Sequence, residues 1–221
     1  MFIPKLEILP PEQKKLWSLL YSTPDHFILY GGTAIALRLA HRTSVDFDFF
    51  SKESFIPDQL YKNITYLKNA EIIQKAQNTL TCLVPIQNTV VKVSFFGGID
   101  LKQINPPSLI AENKIRIASL LDLFGMKCST ICTRIEAKDY LDIYAIISQG
   151  NLPLYQGLAA AQAIYEKQYQ PLMTLKALAC FEGGDLKNLD TQTKKNLTEK
   201  VKEISLEKIP TIITKKYLGE N

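Results

Sequence analysis

The sequence predicts an α/β protein, more narrowly α+β: an N-terminal mixed β-sheet with helices, followed by a C-terminal helical lobe. Two patterns predict it. Up to residue 96, short apolar or alternating runs are interleaved with helical ones, whereas from Pro106 onward apolar residues recur at helical spacing. The chain has 221 residues, 46% of them hydrophobic, which suffices for one sizeable core or two small lobes. The boundary is expected near Asn105, giving domains 1–105 and 106–221.

The elements follow in order. After Pro10 and Pro11, EQKKLWSLL reads as a short amphipathic helix, because proline suits the first helical turn and Leu16, Leu19 and Leu20 recur at helical spacing. Phe27 to Tyr30 is a short apolar run stopped by Gly31 and Gly32 and followed by the helix formers of TAIALRLA, which implies strand, tight turn and helix. In VDFDFF, residues 45–50, Val45, Phe47 and Phe49 alternate with Asp46 and Asp48, so a strand is expected with the three apolar side chains facing the core. Residues 57–69 look helical after Pro57. Strands are expected at 71–75, 79–86 and 89–96, with turns at Gln77-Asn78 and Gln87-Asn88.

Helices are expected at 119–133, 137–148, 153–168 and 171–180, punctuated by Gly150 and Pro153. The Lys-rich tail from Gly183 opens with a loop and has room for one or two peripheral helices.

Composition excludes several classes. The 26 basic and 22 acidic residues leave a net charge of +4, which permits contact with RNA or a polyphosphate but is no nucleic-acid-binding signature. Cys82, Cys128, Cys132 and Cys180 form no CxxC pair, and His26 and His41 lie far from them in sequence. Structural thiols are therefore expected rather than a zinc site. No apolar run approaches the roughly 20 residues of a membrane helix, and the N-terminus carries no apolar signal core, so a cytoplasmic protein is expected.

Asp46 and Asp48, two apart in a strand, leave the same face with Cα atoms about 7 Å apart, close enough to hold one or two divalent cations. Strands are depleted in Asp, so two of them among aromatic residues need a reason. Upstream, Gly31, Gly32 and Thr33 lie where strand becomes helix. Glycine lets backbone approach a phosphate there, and free N–H groups at a helix start favour negative charge. Phosphate-binding turn, helix and a strand with two metal-binding carboxylates together fit nucleotidyl transfer from a nucleoside triphosphate.

GG followed by thirteen residues and DFD resembles the signature of the polymerase β nucleotidyltransferase superfamily. The longer stretch GGTAIALRLAHRTSVDFDFF, with Arg38, Arg42 and Thr43 before the acids, resembles the AbiEii/AbiGii toxin family in particular. GMKCSTICTRIEAKDYLDIYAI resembles that family's later motifs, a Lys on one helix and a KDxxD segment on the next. The resemblance spans roughly residues 30 to 147. It implies a nucleotidyltransferase fold, phosphate contacts from Gly31, Gly32 and Thr33, metal binding (Mg2+ or Mn2+) by Asp46 and Asp48, a triphosphate-facing cation at Lys127 and an active-site acid at Asp139 or Asp142. Arg42 contacts phosphate or orients Asp46. It further implies a toxin of a toxin–antitoxin or phage-defence pair with a cognate antitoxin, a nucleoside triphosphate such as ATP as substrate, and the tRNA 3′ end as leading acceptor. A protein or small-molecule hydroxyl, or a silent nucleotide- or RNA-binding module, are the alternatives.

The residues of the later segment have their own reading. Tyr140, Ile143, Tyr144 and Ile147 form an apolar helical stripe, while Asp139 and Asp142, three apart, can project together. The plain surface alternative pairs Lys138 with Asp142 and leaves Asp139 solvated. Lys127 and Arg134, seven apart on one expected helix, can share a cationic face. One departure stands out: VVKVSFF carries Lys92 and Ser94 where a third strand carboxylate would be sought. Either activation of the acceptor hydroxyl then falls to Asp139 or Asp142, provided that burial or neighbours raise the pKa, or the chain binds nucleotide without turning it over; the first is favoured.

Overall fold

The computed structural model describes residues 2–220. It divides into two compact units: residues 2–101, 106–119 and 217–220 form the first, and Lys102–Asn105 with Leu120–Lys216 the second.

The first unit is built on a seven-stranded mixed sheet of order β3-β4-β5-β2-β1-β7-β6. Its strands are β1 (Ile28–Tyr30), β2 (Phe47–Phe50), β3 (Glu71–Ala76), β4 (Thr79–Ile86), β5 (Thr89–Phe96), β6 (Ser108–Leu109) and β7 (Arg116–Ile117). Hydrophobic alternation builds this sheet. Phe47, Phe49, Val93 and Phe95 lie fully buried on one face, with Phe49 stacked on Phe95 at 5.4 Å between ring centroids. Trp17 of helix α1 (Pro11–Leu19) approaches Phe47 on that side. Each buried aromatic contributes about 1.5–3 kcal/mol of transfer free energy, so this layer fixes which face β2 turns inward.

β2 is antiparallel to β1, with Tyr30 opposite Asp48, and parallel to β5, with Asp48 opposite Ser94. The hairpins β3–β4 and β4–β5 form the expected meander, turning through Asn78 and Gln87 in the left-handed backbone region. Helix α2 (Gly31–Leu39) starts at the end of β1 with no intervening turn and ends at Ala40 in the left-handed conformation. Arg38 ties it to the sheet, donating to the carbonyls of Ala118 and Ile117 and to the Ser108 hydroxyl. Helix α3 (Pro57–Asn63) is shorter than expected and is followed by a single 3-10 turn at Thr65–Leu67.

Three sequence expectations are corrected. Val45 does not face the core: β2 begins at Phe47, and Val45 precedes it, 51% exposed. Residues 106–119 are not helical but contribute the two-residue strands β6 and β7. Of the four free thiols, only Cys82 and Cys128 are buried, whereas Cys180 is exposed.

The second unit is helical: α4 (Leu120–Thr130), α5 (Ala137–Ser148), α6 (Leu154–Tyr165), α7 (Pro171–Ala179) and α8 (Thr191–Lys202). Asp190 caps α8 by accepting from the Thr193 N–H at 2.8 Å. Helices α4 and α6 pack closely because two glycines face the contact. A Cβ on Gly157 would lie 2.7 Å from the Phe124 ring, and one on Gly125 2.9 Å from the Ala160 backbone. Near α4, the Asp122 carboxylate accepts the N–H groups of Ile104 and Asn105 at 2.7 and 3.0 Å. Among the described residues, no helix is long and apolar enough to cross a membrane.

Candidate active site

In the sheet unit, Asp48 of β2 and Asp46, the residue just before it, alternate with the buried Phe47 and Phe49, and both are partly exposed. The sheet register brings Lys92 and Ser94 of β5 alongside them. Lys92 Nζ stands 2.7 Å from Asp46 Oδ2. The position where a third acid was sought therefore holds a cation paired to the first acid.

Gly31 opens α2 at φ +74°, a conformation that costs an L-residue about 1–2 kcal/mol. Space also demands glycine there, since a Cβ would lie 2.9 Å from Asp48 Oδ2. The backbone at the helix start thus closes directly on the Asp48 carboxylate. The N-cap residue, Tyr30, makes no side-chain capping hydrogen bond and no acid occupies the first turn, although the first N–H groups of a helix have no intrahelical acceptor. Gly31, Gly32 and Thr33 supply three of those groups.

Thr33 is 2% exposed, and its hydroxyl donates to the Asp46 carbonyl while lying 2.8 Å from the Ser44 hydroxyl. Its side chain holds the backbone of a carboxylate-bearing residue, so only its N–H is left to serve a phosphate. The Gln13 side chain fixes the same segment from α1 by donating to the Val45 carbonyl at 2.8 Å. Arg42 Nη1 donates to the Thr43 carbonyl at 3.1 Å.

In the helical unit, Lys127, Asp139 and Asp142 form a buried charge cluster. Lys127 is 6% exposed, and both acids are completely buried. Lys127 Nζ lies 2.5 Å from Asp139 Oδ1 and 2.7 Å from Asp142 Oδ2. Arg134 grips Asp139 with two donors, Nε at 2.9 Å and Nη2 at 2.8 Å. Burial pushes the Asp139 carboxyl up, but the Arg134 guanidinium and the Lys127 ammonium outweigh it and hold the group below its ordinary value. The premise that burial or neighbours raise its pKa fails for Asp139. The surface alternative fails too, because Lys138 pairs with Glu136 at 2.8 Å and neither acid is solvated. Arg134 is not on the helix of Lys127 either: α4 ends at Thr130, and Arg134 reaches Asp139 from the connecting segment.

Two hard carboxylates two residues apart suit a hard divalent cation. Mg2+ in particular is held by one or two carboxylates, with water and substrate phosphate completing its shell. Asp46 and Asp48 supply oxygen donors only, which fits an ion that takes its remaining ligands from water and substrate.

Sequence reasoning missed the Thr33 tether to Asp46, the grip of Arg134 on Asp139 and the pairing of Lys92 with Asp46. Only the last left a signal, as a lysine at a position expected to be acidic.

A mixed sheet presenting two carboxylates beside a glycine-led helix start defines a nucleotidyltransferase-like architecture, and solved structures agree on the fold. The chain resembles the MenT4 nucleotidyltransferase toxin of Mycobacterium tuberculosis, with a TM-score of 0.59 at 13% identity over 88% of this chain and 84% of that one. It also resembles a structure from H. pylori described as a nucleotidyltransferase, with a TM-score of 0.57 at 15% identity over 86% and 92%. An uncharacterized protein of Aquifex aeolicus is 27% identical over 163 residues, 72% of this chain and 75% of that protein. Residues 18–209 match the family described as nucleotidyl transferase AbiEii toxin, type IV toxin–antitoxin system, and the chain belongs to that family. It is therefore a nucleotidyltransferase of a toxin–antitoxin family, which implies a nucleoside triphosphate substrate and a cognate antitoxin.

Proposed function

We propose that the chain transfers a nucleotidyl group from a nucleoside triphosphate to an acceptor hydroxyl in a metal-dependent reaction, with the 3′ end of tRNA as the leading acceptor. The observation that carries the reading is the closure of Gly31 on Asp48. A backbone at φ +74° set against a carboxylate, at the start of a helix, puts anion-binding N–H groups beside a metal-binding oxygen.

Asp46 and Asp48 would hold a divalent ion, and such an ion neutralises charge on the triphosphate and its leaving pyrophosphate. Gly31, Gly32 and Thr33 offer first-turn N–H groups to phosphate oxygens, and Arg42 stands in the same segment as a further cation. Thr33 and Gln13 keep the segment before β2 in register, so that the two carboxylates stay oriented.

In the helical unit we assign Lys127 to hold Asp139 and Asp142 in place, since its ammonium already lies within ion-pair distance of both. Asp139, kept ionised by Arg134 and Lys127, is a fixed anion rather than a proton acceptor poised near neutrality.

The test incubates the protein with magnesium, each α-labelled nucleoside triphosphate in turn and total RNA, beside the Asp46→Asn, Asp48→Asn double variant. Label entering tRNA with the native chain alone supports the full reading. Label entering protein or a small molecule moves the acceptor, and equal labelling by the double variant refutes the site.

A further inference from the structure

On the nucleotidyl-transfer reading of the site, on which this proposal rests, the Asp46 carboxylate receives a divalent ion. In the structure that carboxylate already meets a cation, because Lys92 Nζ lies 2.7 Å from Asp46 Oδ2. Register puts the two together. Asp46 immediately precedes Phe47, Lys92 immediately precedes Val93, and Phe47 and Val93 are partners on the parallel strands β2 and β5. The two ends of the pair differ in freedom. The Asp46 carbonyl accepts the buried Thr33 hydroxyl, which anchors the backbone that carries the carboxylate. The Lys92 side chain is a long, flexible stem, 39% exposed, with open solvent to swing into.

An ammonium at such a distance repels an incoming divalent ion, and even at the dielectric of water the repulsion weakens binding by about tenfold or more. Metal entry at Asp46 therefore favours release of Lys92. The triphosphate offers the released ammonium a new anion. Phosphate oxygens that meet the first N–H groups of α2, where Gly31 closes on Asp48, arrive two residues along the chain from Asp46. We propose that Lys92 is an exchangeable cation of this site: it pairs with Asp46 before nucleotide binds, and passes to the triphosphate as the divalent ion takes the carboxylate. The ammonium–carboxylate contact breaks, and ammonium–phosphate and metal–carboxylate contacts form. Metal and nucleotide then assist each other through Lys92, and by linkage the assistance is equal in both directions.

The test reads two affinities that must move in opposite directions. The full chain is titrated with MnCl2 alone, with free Mn2+ followed by its electron paramagnetic resonance signal. Separately, fluorescent, α,β-non-hydrolysable analogues of each ribonucleoside triphosphate are titrated at saturating Mg2+. Lys92→Met is expected to bind Mn2+ about tenfold or more tighter than the native chain, and the preferred analogue about fivefold or more weaker. Lys92→Arg, which keeps the charge, is expected to bind the analogue nearly as the native chain does. Thermal melting verifies the fold of each variant.

Unchanged Mn2+ affinity in Lys92→Met overturns the exchange. So does a parallel weakening of both affinities, which marks a merely structural role, and so does tighter Mn2+ binding with unaltered analogue binding, which marks a counter-ion that never reaches phosphate. Asp46→Asn separates these failures from a deeper one, since the Thr33 tether holds the backbone and survives the change. If Asp46→Asn weakens Mn2+ binding while changes at position 92 do nothing, only the exchange falls. If Mn2+ binding ignores Asp46→Asn, or no analogue binds the native chain, the nucleotidyl-transfer reading of the site falls with it.

Discussion

Replacing Gly31 by alanine separates the site from the fold. The native φ of +74° costs an L-residue about 1–2 kcal/mol. The added Cβ would meet Asp48 Oδ2 at 2.9 Å, with the Asp48 Cβ at 3.6 Å and Cγ at 3.7 Å. The offending atom is the end of a side chain, so Asp48 relieves the clash by rotating away. Stability should fall by about 1–2 kcal/mol, a shift of about 2–8 °C in Tm for a chain of this size. Activity should suffer far more, because a displacement of about 1 Å in a positioned group costs about 100-fold in rate. The assay is the initial rate of label transfer at a temperature well below both melting points. Gly184→Ala is the control: its φ of +50° is also left-handed, and its Cβ would collide with the Ile135 backbone oxygen, which cannot rotate away. It should destabilise more than Gly31→Ala and leave transfer per folded molecule nearly unchanged. If Gly31→Ala keeps its rate, or if the two variants lose rate in proportion to their loss of stability, the approach of Gly31 to Asp48 has no functional meaning.

Lys127→Met leaves Asp139 and Asp142 buried with one cation fewer, and loss of one partner of a buried pair costs about 3–5 kcal/mol. The expected drop in Tm is about 6–20 °C by calorimetry, whereas a drop below about 2 °C would mean that the cluster is hydrated in solution. The depressed pKa of Asp139 gives a sign for acid stability: the unfolded chain binds the proton more readily, so this contribution is complete above the unfolded value of about 3.9 and is lost as pH falls through the lower folded value. Urea titrations between pH 6 and 3 should show Asp139→Asn less stable at pH 6 and losing less on acidification than the native chain. Gly157→Ala drives a methyl into the Phe124 ring at 2.7 Å and should cost about 1–3 kcal/mol by urea denaturation, because Phe124 is fully buried in a packed helix contact.

The sheet strands and their faces were legible wherever one face is apolar. In β2, Phe47 and Phe49 announced the inward side, and Asp46 with Asp48 announced the other. Val45 was misread because alternation runs past the point where β1 and β5 supply pairing partners. Strands β6 and β7 left no pattern, since two residues cannot display a period of two. In α5, Tyr140 and Ile143 were correctly placed inside, but the buried face also includes Asp139 and Asp142, while Tyr144 and Ile147 lie toward its margin. Hydropathy counts every carboxylate as a vote for solvent. The partners that reverse that vote, Lys127 and Arg134, come from a helix and a loop that precede α5 and have no fixed spacing to it.

The same logic explains why the two acid pairs serve different ends. Asp46 and Asp48 remain partly exposed: Lys92 reaches Asp46, and the Gly31 backbone closes on the Asp48 carboxylate. Carboxylates that keep access to water can exchange it for an incoming cation. Asp139 and Asp142 are sealed from water; Lys127 meets both, and Arg134, which also pairs with Glu136 at 3.4 Å, meets Asp139. Such a cluster makes a buried charge that loses its partner strongly unfavourable. Its value is rigidity, because each side chain is fixed by the others. Function should therefore respond steeply to charge changes at Asp46, Asp48 and Lys92, whereas changes at Lys127 and Asp139 should register first as lost stability.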